Sequence, residues 1–560
     1  MSYRGFEGIN LQKTHSGDES ISLIENFRIC ADGSLKKRPG WESVCRTPGN
    51  VSKSFRTTIH EKEIHYLLCE NLILKYTPDD ASITTLFEIP EYSSAHFFEY
   101  LGDTYLLCDT GIYKITESGA EEAITYIPLY GKDWPSSRPG EIYEPINLLC
   151  NKVIISYDFV APTHGFLSKG DLVVTNIDAI YRNGELLSPE KYYYDEEFDA
   201  ITLLEHEDGD KFIAIYSIAQ SEKVLDQKNS LFSTRDTATF YELNNHTLLL
   251  WGDRESNRVF YSKKVSEESR QAYGNYLSNE NSLYIPFDSF FTVDKPSSRV
   301  NAIIRHYDRV LIMTDTSTWM TDLQHLGSKD FQLKSINASL GCGTPGAIRV
   351  DNSIISINAN QVYCWRSNTD ELNECNAYCI SSPIQGLIEN DFFNKCMMKV
   401  NAKNGEIWFY KPSALSTWIY NINRSAWYTY SGFYAYTFLD SDTEMIFSQT
   451  LTLNRFKEAI LYDGGEKISA TFKSGELEFN SMKYKKTRLV VIRGEFTGGG
   501  IIIKLSFDNG KTLSYTLAPP KKHFVLPVRI RSGSFKSVSI NVLAYGAGEQ
   551  TIHGIELYAK

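Results

Sequence analysis

Apolar residues along this chain fall into short runs separated by polar turns, a pattern that predicts strands and hairpins rather than amphipathic helices. The clearest case is repeated. Tyr66-Leu-Leu-Cys-Glu-Asn-Leu-Ile-Leu-Lys-Tyr76 matches Tyr105-Leu-Leu-Cys-Asp-Thr-Gly-Ile-Tyr-Lys-Ile115 at an offset of 39 residues. That offset is close to the ~40–50 residues of a four-stranded propeller blade. Looser copies begin at Thr247-Leu-Leu-Leu-Trp251, Arg309-Val-Leu-Ile-Met-Thr-Asp315, Ser353-Ile-Ile-Ser-Ile357, Glu406-Ile-Trp-Phe-Tyr410 and Met445-Ile-Phe-Ser448. About seven units result, and radial repetition of such sheets predicts an all-β chain with a β-propeller of about six to eight blades.

The spacing breaks between the second and third copies. Residues 131–228 carry strands of their own, Lys152-Val-Ile-Ile-Ser156, Leu172-Val-Val-Thr175 and Phe212-Ile-Ala-Ile-Tyr216. Asn183-Gly184 and Asp208-Gly209 both read as two-residue hairpin turns, because Asn, Asp and Gly tolerate positive φ. The segment reads as a small β domain inserted into a propeller loop. Beyond 470 the blade pattern stops. Ile501-Ile-Ile-Lys-Leu-Ser-Phe507 turns through Asp508-Asn-Gly-Lys511 into Thr512-Leu-Ser-Tyr-Thr-Leu517, and further strands run to Tyr558, predicting a β-sandwich or jelly roll. The expected organisation is an N-terminal arm and start of the platform at 1–50, first blades at 51–130, the insert at 131–228, further blades at 229–470 and the sandwich at 471–560. Helix is scarce, with one candidate starting near Ser266-Glu-Glu-Ser, where Ser can cap and the acids sit in the first turn.

The length of 560 residues exceeds what one hydrophobic core covers, and the aromatic share of 13% suits strands. No run reaches the ~18 apolar residues of a membrane-spanning helix. The N-terminus lacks the apolar stretch of a signal peptide, so synthesis in a cytoplasm is expected. The ten cysteines include no Cys-x-x-Cys pair, and Cys375 and Cys379 have no His at zinc spacing, so they read as buried reduced thiols. The net charge of −12 is uneven. Residues 471–560 hold 14 Lys+Arg against 6 Asp+Glu, a net of +8, leaving −20 for the remainder. An acidic body and a basic C-terminal unit invite electrostatic docking.

Candidate chemistry is sparse. Gly341-Cys-Gly-Thr-Pro-Gly346 matches a dinucleotide fingerprint literally, but Pro345 and the strand that follows make it a turn between blades. His60-Glu-Lys-Glu-Ile-His65 is one residue too long for a zincin helix and leads into a strand. Gly510-Lys511-Thr512 belongs to a hairpin, and no Gly-x-Ser-x-Gly elbow occurs. The acidic clusters Asp195-Glu-Glu197 with Asp199 and Glu205-His-Glu-Asp-Gly-Asp210 lack the register of a calcium loop and read as solvated. No catalytic residue, metal or cofactor is expected. Basic residues at Lys36-Lys37-Arg38, Lys485-Lys486 with Arg488, and Lys521-Lys522 are dispersed in an acidic protein, which suits ion pairs at interfaces better than a nucleic-acid reader.

The N-terminal stretch holds the most specific signal: Phe6-Glu-Gly-Ile-Asn10, Glu25-Asn-Phe-Arg-Ile29, Asp32-Gly-Ser-Leu35 and Lys37-Arg-Pro-Gly-Trp41. It resembles the opening of podovirus-type bacteriophage tail proteins, the tail nozzle (tail tubular protein B) family and its stabilisation-protein relatives. Arg309–Trp319, Leu340–Pro345 and the ending Ile552-His-Gly-Ile-Glu-Leu-Tyr558 resemble them too. The likeness spreads over most of the chain as a pattern, without one diagnostic motif. It implies a structural virion protein, not an enzyme: a propeller platform in a ring, commonly sixfold, that bounds the DNA exit channel. Its implied partners are other copies of itself, an adaptor or portal-proximal protein, tail fibres or spikes, and passing DNA bound without sequence preference. Candidate assembly-interface residues are Arg28, Lys37, Arg38, Trp41, Lys485, Lys486 and Arg488. A carbohydrate- or receptor-binding propeller is the alternative, since propellers host many functions. A glycosidase or lyase using carboxylates in a propeller mouth is a third reading.

Overall fold

In the computed structural model the described residues are 2–3, 6, 8–10, 21–136, 138–158, 166–195, 197, 200–207, 209–242, 245–253, 255–265, 283–306, 309–344, 346–366, 377–389, 391–412, 414–441, 444–478, 483–519 and 522–559. The fold is all-β and is a β-propeller with added β domains, its unit of repetition a four-stranded antiparallel meander. Blade 1 comprises Val51–Ile59, Lys62–Cys69, Leu72–Thr77 and Ser82–Glu88; blade 2 comprises Ala95–Tyr100, Asp103–Cys108, Gly111–Ile115 and Ala120–Glu122. Blades 3, 4 and 5 begin at Asp236–Glu242, Val300–His306 and Ala347–Val350. Blade 6 (Met397–Asn401, Glu406–Tyr410, Ser416–Asn421, Ala426–Ser431) is continuous with a nine-stranded sheet. Blade 7 pairs Ile446–Gln449 and Thr452–Lys457 with Gly40–Arg46 from the N-terminus.

The repeat follows from burial. A middle strand such as Lys62–Cys69 is buried along Ile64–Cys69, on both faces, so it reads as a continuous apolar run. The outer strand Ser82–Glu88 is mostly open and mixed. Turns are tight. His60 and Glu61 (φ 49° and 64°) join the first two strands of blade 1, and both residues at positive φ give the turn whose twist matches a hairpin. His65, which follows in the strand, is buried and hydrogen-bonds Glu63 at 2.8 Å.

The chain divides into two compact units. One holds Met1–Ile89, Ile304–Tyr307 and Ile336–Lys560; the other holds Pro90–Ile303 and Asp308–Ser335. In the first, blade 1 packs on blade 7 through Val51, Leu67 and Leu74 against Leu439, Ile446 and Leu453. Its C-terminal part is a sandwich. Ala470–Ser474, Val538–Tyr545, Gly500–Phe507 and Thr512–Leu517 extend the nine-stranded sheet, while Thr487–Phe496, His523–Arg529 and Gln550–Ala559 belong to a six-stranded one. Val538–Tyr545 alternates buried and half-buried residues, the period of a strand covered on one face. The 501–507 and 512–517 strands pair as the sequence suggests, around Gly510 at φ 78°.

In the second unit, Phe98 and Leu107 of blade 2 share a core with Leu248 and Phe260 of blade 3. Between those blades Leu129–Pro135, Lys152–Asp158, Lys211–Ile218, Val174–Arg182 and Glu185–Leu186 form one sheet; Phe166–Ser168, Ala200–Leu203 and Tyr192–Asp195 form another. Both enclose a core around Trp134, Tyr157, Leu167, Ile201 and Tyr216. Asn183-Gly184 is a two-residue hairpin turn, both residues at positive φ. The reading of Asp208-Gly209 as a hairpin is corrected: the strands before and after it, Ala200–Leu203 and Lys211–Ile218, lie in different sheets, so no ladder joins them. Asp208 itself is outside the described residues, as are Glu196, Asp199, Pro345, Cys375, Lys521 and Ser266-Glu-Glu-Ser269, where the sequence suggests a helix start. Among the described residues an α-helix occurs at Glu222–Phe232, capped by Ser221 through the Val224 amide, with Val224 and Leu231 buried. No helix among the described residues is long and apolar enough to cross a membrane.

Candidate functional site

The residues that open the chain are gathered where its two ends meet, within the first unit. Ile21–Glu25 lies beside Ala426–Ser431 on one side and Ala470–Ser474 on the other. Phe27–Ile29 and Leu35–Lys37 form a hairpin whose second strand pairs with Gln550–Ala559. Gly40–Arg46 then enters blade 7. Arg38 sits at the crossing with its side chain fully buried. Its guanidinium makes a bidentate pair with Asp463 and donates to Asn26 Oδ1 (2.8 Å), the Pro39 carbonyl (3.0 Å) and the Ser431 carbonyl (2.5 Å). Burial raises the Asp463 carboxyl above its ordinary range, with Arg38 acting against that shift.

Arg28 is held by Glu458 through two bonds of 2.6 and 2.9 Å, and Lys36 approaches the same carboxylate at 3.5 Å. Burial would raise Glu458, but the two cations outweigh it and its pKa lies below the usual range. Lys37 is buried, donates to the Gly546 carbonyl (2.8 Å), and is lowered to about 8 by burial and by Arg38. Trp41 is half-buried, edge-on to Phe447 at 5.8 Å. Lys485 is buried and donates to the carbonyls of Glu478 (2.7 Å) and Lys536 (3.3 Å), whereas Lys486 and Arg488 are exposed. Of the sequence-derived candidates, the structure therefore brings Arg28, Lys37, Arg38 and Trp41 together and leaves Lys486 and Arg488 at the surface.

Two cavities border this crossing, about 480 and 660 Å³, and both reach Lys403, Asn404 and Glu406. Glu406 was not singled out in the sequence. Its carboxylate is buried, accepting from Tyr428 Oη (2.7 Å), Trp408 Nε1 (2.8 Å) and Asn401 Nδ2 (3.2 Å). Burial raises its pKa despite those donors. The signal available was its place at the head of an apolar strand, Glu406–Tyr410, buried throughout. The first cavity thus presents a carboxyl pushed up and another, Glu458, pushed down, with Glu444, Lys403 and Lys457 also in its wall. Such a set can hydrogen-bond a polyhydroxylated ligand. Trp408 and Tyr430, which also line it, are buried. Among the described residues no group of three or more His, Cys, Asp or Glu is placed to hold a metal ion.

No family model and no curated protein matches the chain. Similar solved structures include the AfRom2 CNH domain, at 7% identity over 75% of this chain and 99% of that one, TM-score 0.37. The WD40 domain of SCAP from fission yeast is 10% identical over 77% and 94%, TM-score 0.33. The exo-beta-1,3-galactanase from Phanerochaete chrysosporium is 10% identical over 73% and 100%, TM-score 0.24. The propeller assignment rests on the chain's own sheets.

Proposed function

We propose that the chain is a non-catalytic structural subunit of a bacteriophage tail, a nozzle-type propeller that forms a ring with copies of itself around the DNA exit path. One observation carries the reading. Two of the segments on which the family resemblance rests, Glu25–Ile29 and Lys37–Trp41, lie at the crossing of the arm, blades 6 and 7 and the sandwich, and several of their side chains are tied into it. Residues used this way serve a stiff scaffold. Acidic surface suits a wall past which phosphates slide, and the second unit carries 21 Lys+Arg against 38 Asp+Glu, a net of −17. Electron microscopy of the purified full-length protein tests the reading. Closed rings are expected at high concentration, and particles that stay monomeric throughout refute it.

The cavity at Glu406 favours a second reading, a carbohydrate-binding propeller, because carboxylates, amides and lysines line one recess. A glycan array separates the two. Retention of a glycan that is lost on replacing Lys403 and Asn404 by Ala supports the second reading, and no retained glycan removes it.

A further inference from the structure

The inserted domain and the C-terminal sandwich carry opposite charge, and each has exposed apolar residues on one sheet face. Residues 129–218 hold 7 Lys+Arg against 16 Asp+Glu, a net of −9. In the three-stranded sheet of the insert, Ile201 and Leu203 point into the core, so Thr202 points out. Phe166, Thr202 and Tyr193 stand opposite one another across the three strands, forming an outward row. Leu204 continues that face. Tyr193 is 48% exposed and Leu204 59%, with the exposed carboxylates Glu197, Glu205 and Glu207 close to them in the chain. Tyr192–Asp195 is also an edge strand.

The sandwich offers the counterpart. In Thr487–Phe496, Val490 and Ile492 are buried inward, which turns Leu489, Val491 and Arg493 to the other face, where Val491 is buried beside Glu556 and Arg493 donates to that carboxylate at 3.3 Å. Arg529, Leu489 and Tyr558 form one cross-strand row, and Val525 stands opposite Arg493. Val525 is 57% exposed and Tyr558 52%, while Arg529 and Arg488 are exposed beside them. His523–Arg529 is likewise an edge strand.

We infer that the acidic sheet face of the inserted domain in one copy docks on the basic sheet face of the C-terminal sandwich in the next copy. The inference rests on the ring reading and names its contact. Each patch has exposed apolar side chains beside exposed charges, Glu197, Glu205 and Glu207 on the insert and Arg488 and Arg529 on the sandwich, although within the chain Lys191 already pairs with Glu205 (2.9 Å) and Glu556 with Arg493 (3.3 Å). Apolar contact beside charges of opposite sign excludes water and fixes orientation. Like faces repel, so the contact is head-to-tail. A head-to-tail contact closes into a ring when its rotation divides a full turn.

Reciprocal charge reversal tests this on the full chain. One variant carries Arg488→Glu and Arg529→Glu; the other carries Glu197→Lys and Glu205→Lys. Sedimentation at low salt is expected to show wild-type assembly, with each variant alone associating roughly tenfold or more weakly. Mixing the two variants restores assembly, because every junction then pairs opposite signs again. Unchanged melting temperatures show that the variants are folded. If the wild type assembles and the variants do so equally well alone, the docking surfaces are elsewhere and the ring reading survives. If the wild type never associates, both fall.

Discussion

Glu406 shows how one buried group sets a pH dependence. Unfolded, its carboxyl titrates near about pH 4.3. Folded, burial raises that value, so the native state binds the proton more tightly than the unfolded chain. The stability gained this way is present below the unfolded pKa and is lost as pH rises through the folded one. Glu458 runs the other way: its lowered pKa contributes stability above the unfolded value that is lost in acid. Glu406→Gln keeps an acceptor for Trp408 and Asn401 and removes the titration. Its melting temperature is expected to exceed the wild type's at about pH 8 and to converge with it towards about pH 4.3. Thermal unfolding across that range checks this; a constant offset between the two proteins refutes it. Charge sign was legible at this scale, but partnership was not. Arg38 finds Asp463 at a separation of 425 residues, and nothing near Arg38 in the chain marks that partner.

Elements were most legible where pattern and turn chemistry are local. The meander repeat shows because the middle strands are buried on both faces and so spell apolar runs. Asn183-Gly184 announced its turn, whereas His60-Glu61 and Ala359-Asn360 make comparable turns without glycine. The helix at Glu222–Phe232 had a readable start in Ser221-Glu222, but its short apolar face, Val224 and Leu231 around Gln227, is faint beside the strands that precede it. Arg-Pro-Gly at 38–40 is legible as a motif, and the structure supplies its reason. A Cβ on Gly40 would lie 2.1 Å from the Tyr462 carbonyl oxygen, where the 40–46 strand passes Tyr462–Asp463. Backbone cannot yield as a side chain can. Gly40→Ala is therefore expected to cost roughly 1–3 kcal/mol or more, read as a lower melting temperature. A melting temperature equal to the wild type's would mean that the strands separate freely there.

At the scale of the whole chain, the arm decides whether the first unit can be complete. Its strands enter three sheets: Ile21–Glu25 the nine-stranded one, Leu35–Lys37 the six-stranded one and Gly40–Arg46 that of blade 7. Pairings this distant lie beyond local pattern, which is why the sequence suggested an arm leading into the platform and not one threaded through the sandwich and last blade. The consequence concerns order. Residues 21–46 leave the ribosome well before several of their partners, among them Phe456, Phe472 and Ile552. Until those arrive, the arm's strands lack their partners, and unpaired edges template association with other chains. Deleting residues 1–46 leaves the complementary edges in all three sheets unpaired permanently. The shortened protein is expected to elute as aggregate in size-exclusion chromatography, and supplying residues 21–46 as a separate peptide during refolding should recover part of the native-sized fraction. A shortened chain that elutes at native size and melts where the wild type does would show that the arm is attached to a fold already complete without it.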